Sequence, residues 1–134
     1  MARYKRKQLT TDQRLAVYNK YKGHCAYCGC EIDYSEMQVD HLAPVHLFGE
    51  NNNFSNLMPS CKPCNIKKGT LTITKFREEI EASAEKLMQE NATFRLAERF
   101  GKVAILYAPV KFYYERHKEV TDETNSTTKW KWKS

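Results

Sequence analysis

Two cysteine pairs with identical spacing, Cys25-Ala26-Tyr27-Cys28 and Cys61-Lys62-Pro63-Cys64, frame the middle of this chain. Four thiolates converging on one tetrahedral zinc would join two segments distant in sequence and fix whatever lies between them. No other feature constrains the fold as strongly. A chain of 134 residues with 41% hydrophobic content supplies only a modest core, and a structural metal adds cohesion where burial is thin. The interval between the pairs is longer than in a compact zinc ribbon, which makes the intervening residues a functional insertion rather than a plain hairpin. A closed four-thiolate site leaves no position for water, so its role is structural. Disulfides or redox thiols are the competing reading. Cys30 and His24 are potential substitute ligands and are taken as bystanders.

The formal net charge of +6 is unevenly spread. Residues 1–24 carry seven Lys or Arg against one Asp, whereas residues 25–70 carry three bases against five acids. Acids in the framed segment suit a divalent cation. Bases in the arm, Arg3, Lys5, Arg6 and Lys7, suit phosphate contacts, with a solubilising arm as the plainer alternative. No apolar run reaches membrane-spanning length, and the N-terminus lacks a signal-type apolar segment. A reducing cytoplasm is therefore expected, where Cys-x-x-Cys pairs serve as metal ligands.

Along the chain, a first helix is expected from a Thr11 N-cap to Gly23, with Leu15, Tyr18 and Tyr21 on its apolar side. Gly29 lets the Cys25–Cys28 knuckle turn. A short strand is expected over Met37–Leu42, a polar loop over His46–Ser55 and a second strand at Asn56–Met58, ending before Pro59. A helix from Ser60–Pro63 to Gly69 follows, then an amphipathic helix over Lys75–Glu90 with Phe76, Ile80, Ala84, Leu87 and Met88 as its stripe. Thr93 is the expected cap of a further helix, and Val110–Glu115 reads as a strand. From Thr121 the chain is polar and expected to be disordered, ending in Lys129-Trp130-Lys131-Trp132-Lys133.

Three stretches resemble the HNH endonuclease family: Val39-Asp40-His41-Leu42-Ala43-Pro44, Phe54-Ser55-Asn56-Leu57, and Cys61-Lys62-Pro63-Cys64-Asn65-Ile66-Lys67-Lys68-Gly69. The last motif position is Asn65 rather than His. The resemblance implies an α+β fold. It comprises a small ββα-metal core stapled by the four-cysteine zinc site, flanking helices and the short C-terminal strand. It also implies a basic arm at 1–10, a nuclease domain with a helical extension at 11–120 and a tail at 121–134. By resemblance, His41 is the general base of phosphodiester hydrolysis and Asn56 holds the base-carrying segment and the imidazole. Asp40 and Asn65 hold the catalytic ion. An oxygen-only donor pair favours Mg2+ or Mn2+ over Zn2+ at that position, and imidazole suits a base working near neutral pH.

Each of these residues alone means little: Asp beside His is a common dipeptide, and lone asparagines are ordinary loop or helix-surface residues. Their joint placement around the cysteines carries the reading. Lys68 and Lys67 are candidate phosphate contacts, with pairing to the helix C-terminal dipole as the alternative for Lys68. One geometric condition stands out. Neighbouring strand residues face opposite ways, so Asp40 and His41 share a site only if the strand ends, bulges or twists there.

The implied activity is divalent-metal-dependent DNA cleavage, by nicking or by double-strand cutting, in a bacterial cell or phage-infected host. A homodimer would supply the two sites that cutting both strands at once requires. A non-catalytic zinc-stapled nucleic-acid-binding module is the alternative, and an RNA-directed nuclease a third reading.

Overall fold

A computed structural model describes residues 8–119; the basic arm residues Arg3, Lys5, Arg6 and Lys7 and the Trp-Lys tail lie outside them. The first helix, α1 (Thr11–Asn19), is capped one residue earlier than the sequence suggested. The Thr10 hydroxyl accepts from the Gln13 amide at 3.1 Å while the Gln13 side chain accepts from the Thr10 amide at 2.9 Å. This reciprocal box satisfies two backbone donors that Thr11 would leave open. The helix also ends at Asn19, and Lys20–Gly23 form a turn in which Gly23 takes φ +80°. Its inward side is Val17, Lys20 and Tyr21, all buried, whereas Leu15 is exposed.

Strands β1 (Gln38–His41) and β2 (Leu57–Ser60) form an antiparallel pair with Asp40 opposite Met58 and His41 opposite Leu57. Contrary to expectation, β2 continues through Pro59. The Pro59 carbonyl turns away from β1 to accept from the Ala26 amide at 2.8 Å, and the missing N–H falls on that same outer side. The region 46–55 is not all loop. It contains α2 (Val45–Phe48), a single turn after Pro44, and a 3-10 turn at Phe54–Asn56.

Helix α3 (Lys62–Lys68) has Cys61 as its cap and Pro63 in its first turn. Helix α4 (Ile73–Glu90) starts two residues before the expected Lys75 because Thr72 caps it, accepting from the Lys75 amide at 3.1 Å. Of its expected stripe only Phe76 is buried; Ile80 packs partly against the core and Leu87 is exposed. Asn91, not Thr93, caps α5 (Ala92–Arg99), because its carboxamide reaches the Phe94 amide at 3.0 Å.

The expected C-terminal strand at Val110–Glu115 is not formed. The described chain has a single two-stranded sheet, and these residues meet no third strand. They make an extended approach and one turn of helix, α6 (Tyr113–Arg116), whose Tyr113 and Tyr114 amides donate to the carbonyls of Tyr27 and Ala26 in the knuckle. Aromatic alternation, which suggested a strand, instead supplies rings to a cluster. Phe112 stacks on Phe76 at 5.2 Å and meets Tyr27 edge-on at 5.6 Å. Arg77 ties the segment down, donating to the Val110 carbonyl and pairing with both oxygens of Glu115.

The sheet therefore separates two small cores. One holds Tyr21, Cys25, Ala26, Tyr27, Met58, Phe76 and Phe112, with Leu42 against it; the other holds Val17, Met37 and Leu57, with Val39 against it. The C-terminal segment locks the knuckle through the first. Gly29 sits at φ +84°, and a Cβ there would come within 2.5 Å of the Tyr113 ring. Gly29→Ala adds left-handed backbone strain to overpacking and should cost about 2–4 kcal/mol. Urea unfolding of the two proteins reads this directly; equal midpoints would show that the knuckle does not pack on α6 as described.

Candidate active site and cysteine cluster

The knuckle brings Cys25 and Cys28 to the N-terminus of α3, where Cys61 and Cys64 stand one turn apart. All four sulfurs lie within 4.8 Å of one another, Cys28 and Cys61 at 3.8 Å, and no cysteine is in a disulfide. A tetrahedron of Zn–S bonds of about 2.3 Å has edges of about 3.8 Å, so the cluster is already sized for such an ion. The surroundings favour thiolate at Cys25, whose thiol is held down at about 4 by a hydrogen bond with Cys64, aided by the backbone amides of Cys61, Cys28 and Tyr27. Cys30 is exposed and outside the foursome. His24 is not a ligand either; its ring lies 3.0 Å from the Tyr21 carbonyl and stacks on Tyr113 at 5.2 Å.

Asp40 and His41 occupy the last two ladder positions of β1, and the ladder stays regular through them: the Leu42 amide still donates to the Asn56 carbonyl at 2.8 Å. The two side chains therefore leave the strand on opposite faces. Asp40 shares its face with Met58 and Leu42, while His41 shares the other with Val39 and Leu57. β1 does end at His41, but its pairing stays regular up to that end, so no bulge in the ladder turns the two side chains to one face.

On its face Asp40 is buried, and both its contacts fall on Oδ2. The Tyr27 hydroxyl donates at 2.6 Å and the Lys68 ammonium approaches to 2.9 Å. Burial first, and then the Asp40 charge, keep the Tyr27 phenol protonated far above its ordinary range. Lys68, completely buried, also donates to the His41 carbonyl at 3.0 Å. It is thus a structural counter-ion rather than a phosphate contact or a helix-dipole partner, because a buried carboxylate demands a nearby positive charge. Lys67 is exposed. Asn65 is half-buried on α3, three residues before Lys68 and so on the side of the helix that faces Asp40. Its backbone N–H donates to the Cys61 carbonyl at 3.0 Å, and its side-chain carboxamide makes no hydrogen bond among the described residues.

On the opposite face, His41 Nε2 lies 2.7 Å from Asn52 Oδ1, and the buried Nδ1 has no hydrogen-bond partner among the described residues. Asn56 does not touch the ring. Its oxygen accepts from the Ala43 amide at 2.8 Å and its nitrogen donates to the Asn51 carbonyl at 2.8 Å. The chain leaving β1 and the asparagine-rich loop are thereby held together. The expected hold on the segment is present, while the hold on the imidazole belongs to Asn52.

Sequence reasoning passed over three contributors: Asn52, Tyr27 and Lys20. Lys20 is wholly buried, donates to the Phe54 and Leu57 carbonyls at 2.6 and 2.9 Å, and lies over the Phe54 ring. Desolvation lowers its pKa, partly offset by Glu119. The only available signal was a lysine in register with the buried side of α1.

Residues 25–71, which span the cysteine cluster and the hairpin, match the model of the HNH endonuclease family. The chain is 40% identical over 60 residues to the Septu protein PtuB of Bacillus thuringiensis, covering 42% of this chain and 23% of that protein. It is 42% identical over 45 residues to the CRISPR-associated endonuclease Cas9 of Corynebacterium diphtheriae, covering 34% of this chain and 4% of that protein. Among solved structures, the Type II-C Cas9 enzyme from Actinomyces naeslundii aligns over 57% of this chain and 8% of its own, at 28% identity and a TM-score of 0.48. The chain thus spans less than a quarter of the length of each of these proteins.

Two outcomes are expected. The purified protein should hold one tightly bound metal ion per chain, released by a thiol-modifying mercurial and reduced in Cys61→Ser; metal analysis finding none would remove the staple. Lys68→Ala should destabilise by about 3–5 kcal/mol by stranding the Asp40 charge, whereas Lys68→Met with Asp40→Asn should cost much less. Additive losses in chemical denaturation would contradict the pairing.

Proposed function

We propose that the chain is a divalent-metal-dependent endonuclease that hydrolyses DNA phosphodiester bonds, with the four-cysteine cluster holding a structural Zn2+. The observation that supports this reading is the pair of asparagines, Asn52 and Asn56, holding His41 and the chain beyond it, while Asp40 on the other face of the strand is paired with Lys68 of α3.

Opposite-face placement suits the chemistry. In-line displacement at phosphorus needs the attacking water and the leaving oxygen on opposite sides. A phosphodiester seated across the end of β1 would meet His41 from one side and the Asp40–Asn65 corner from the other. His41 Nδ1, without a hydrogen-bond partner among the described residues, takes a proton from water on the attack side. A Mg2+ or Mn2+ held by Asp40 and Asn65 would supply positive charge for the phosphorane and the departing oxygen. Lys68 holds the Asp40 carboxylate and the His41 carbonyl at once, fixing the separation of the two halves. Tyr27 fixes the carboxylate rotamer from the knuckle side. Lys67 and the arm residues Arg3, Lys5, Arg6 and Lys7 provide non-specific phosphate contacts. DNA is the proposed substrate because the matched family and the Cas9 relatives are endonucleases; the thiolate site suits a reducing cytoplasm.

A second reading has its own supporting observation. Asp40 is already neutralised by Lys68 and bonded to Tyr27, as a purely structural carboxylate would be. On that reading the chain is a zinc-stapled nucleic-acid-binding module. Relaxation of supercoiled plasmid separates the two. Wild type with Mg2+ or Mn2+ should nick, EDTA should abolish nicking, and His41→Ala should lose about 10²-fold or more in rate with DNA affinity unchanged. DNA binding without metal-dependent nicking, identical in wild type and His41→Ala, would establish the module instead.

A further inference from the structure

Asn52 lies in the loop between α2 and β2, outside the motif residues, yet it is the side chain that touches the imidazole. Its Oδ1 lies 2.7 Å from His41 Nε2, and its Nδ2 donates to Glu50 Oε2 at 3.1 Å. The two contacts are chemically linked. Turning the amide over would aim its oxygen at the Glu50 carboxylate, acceptor against acceptor, so Glu50 decides which atom of Asn52 faces His41. An oxygen facing Nε2 in turn requires a hydrogen on Nε2. The other tautomer would set two acceptors 2.7 Å apart and leave a buried Nδ1–H donor without an acceptor among the described residues, both of which disfavour it.

We propose that Glu50 and Asn52 form a positioning relay that fixes His41 as the Nε2–H tautomer and leaves the Nδ1 lone pair as the only basic site of the ring. The inference rests on the endonuclease reading for its catalytic meaning, but the tautomer itself is a property of the folded chain. Asn56 supports the relay indirectly, since its bond to the Asn51 carbonyl anchors the loop residue next to Asn52. Asn53 tightens the same loop by donating its amide to Asn51 Oδ1 at 3.0 Å. The imidazole is thus held at one edge while the opposite edge has no hydrogen-bond partner among the described residues. A base held in this way needs no rotation or proton exchange within the ring before it acts.

Nitrogen-15 correlation spectra of the histidine rings in the full chain test the assignment without any substrate. Wild type should show His41 protonated at Nε2 and not at Nδ1. Asn52→Leu, close in volume and lacking the acceptor, should move both nitrogens towards a mixed-tautomer pattern. The exchanged pair Glu50→Gln with Asn52→Asp, which restores an amide–carboxylate bond and an oxygen facing Nε2, should recover the wild-type pattern. In nicking assays Asn52→Leu should lose about 10²-fold in kcat with KM within about 2-fold, and should add nothing in a His41→Ala background. A protonated Nδ1 in wild type, or a pattern unmoved by Asn52→Leu, overturns the relay even if the protein cuts DNA. An Asn52→Leu loss that persists in the His41→Ala background also overturns it, by showing that the loop acts on structure alone. If wild type carries the assigned tautomer but cleaves nothing, the endonuclease reading fails and the relay stands.

Discussion

Convergence of the Cys25–Cys28 knuckle on the cap of α3 is the constraint from which the rest of the structure follows. It joins segments with little apolar surface of their own, and it does so at the end of a sheet of only two strands. A two-stranded hairpin is marginal in water by itself. Here the Ala26–Pro59 bond attaches the knuckle to β2, and the Tyr113 and Tyr114 amides close over it from the C-terminal side. Because Cys61 is both a cluster thiol and the N-cap of α3, the cluster also sets where that helix starts. The helix in turn sets the reach of Asn65 and Lys68.

Two fully buried lysines then fix the hairpin from its two sides. Lys20 from the end of α1 binds the carbonyls of Phe54 and Leu57, and Lys68 from α3 binds the His41 carbonyl and the Asp40 carboxylate. Burying an ammonium is costly unless its donors find oxygens; apart from Glu119, 3.6 Å from Lys20, the oxygens belong to β1, β2 or the turn leading into β2. The strand end that carries Asp40 and His41, and the turn that carries Asn56, are thus held by charge-assisted bonds in addition to apolar packing. A small domain gains rigidity at its site in this way without a larger core.

What the sequence revealed depended on how local the determining interaction was. The cysteine spacing, the helical placement of Cys61–Gly69 and the hairpin between the pairs were legible because each rests on residues a few positions apart. The second strand was drawn too short because Pro59 was taken as a stop, when an outer edge tolerates it. The strand expected at Val110–Glu115 failed for a different reason. Alternating aromatics signal a half-buried extended segment, and these rings found a cluster with Phe76 and Tyr27 in place of a neighbouring strand. Lys68 was misread because its partner, Asp40, is distant in sequence and the need for a buried counter-charge appears only once Asp40 is known to be buried. Asn52 was one asparagine among several, and nothing local distinguishes the one that meets the imidazole. The opposite facing of Asp40 and His41 is the difficulty that the sequence itself poses, since one of the two would then be structural; the regular ladder keeps them on opposite faces, and only the proposed mechanism uses both as two sides of one site.

That division is the central claim, and a structure of the chain with Mn2+ and a short DNA duplex tests it most directly. The account predicts one ion bound by Asp40 and Asn65 oxygens at about 2.1–2.2 Å, with a phosphodiester across the end of β1 and His41 Nδ1 on the side away from the ion. An ion bound elsewhere, or a phosphate that meets His41 and the ion from the same side, would contradict it.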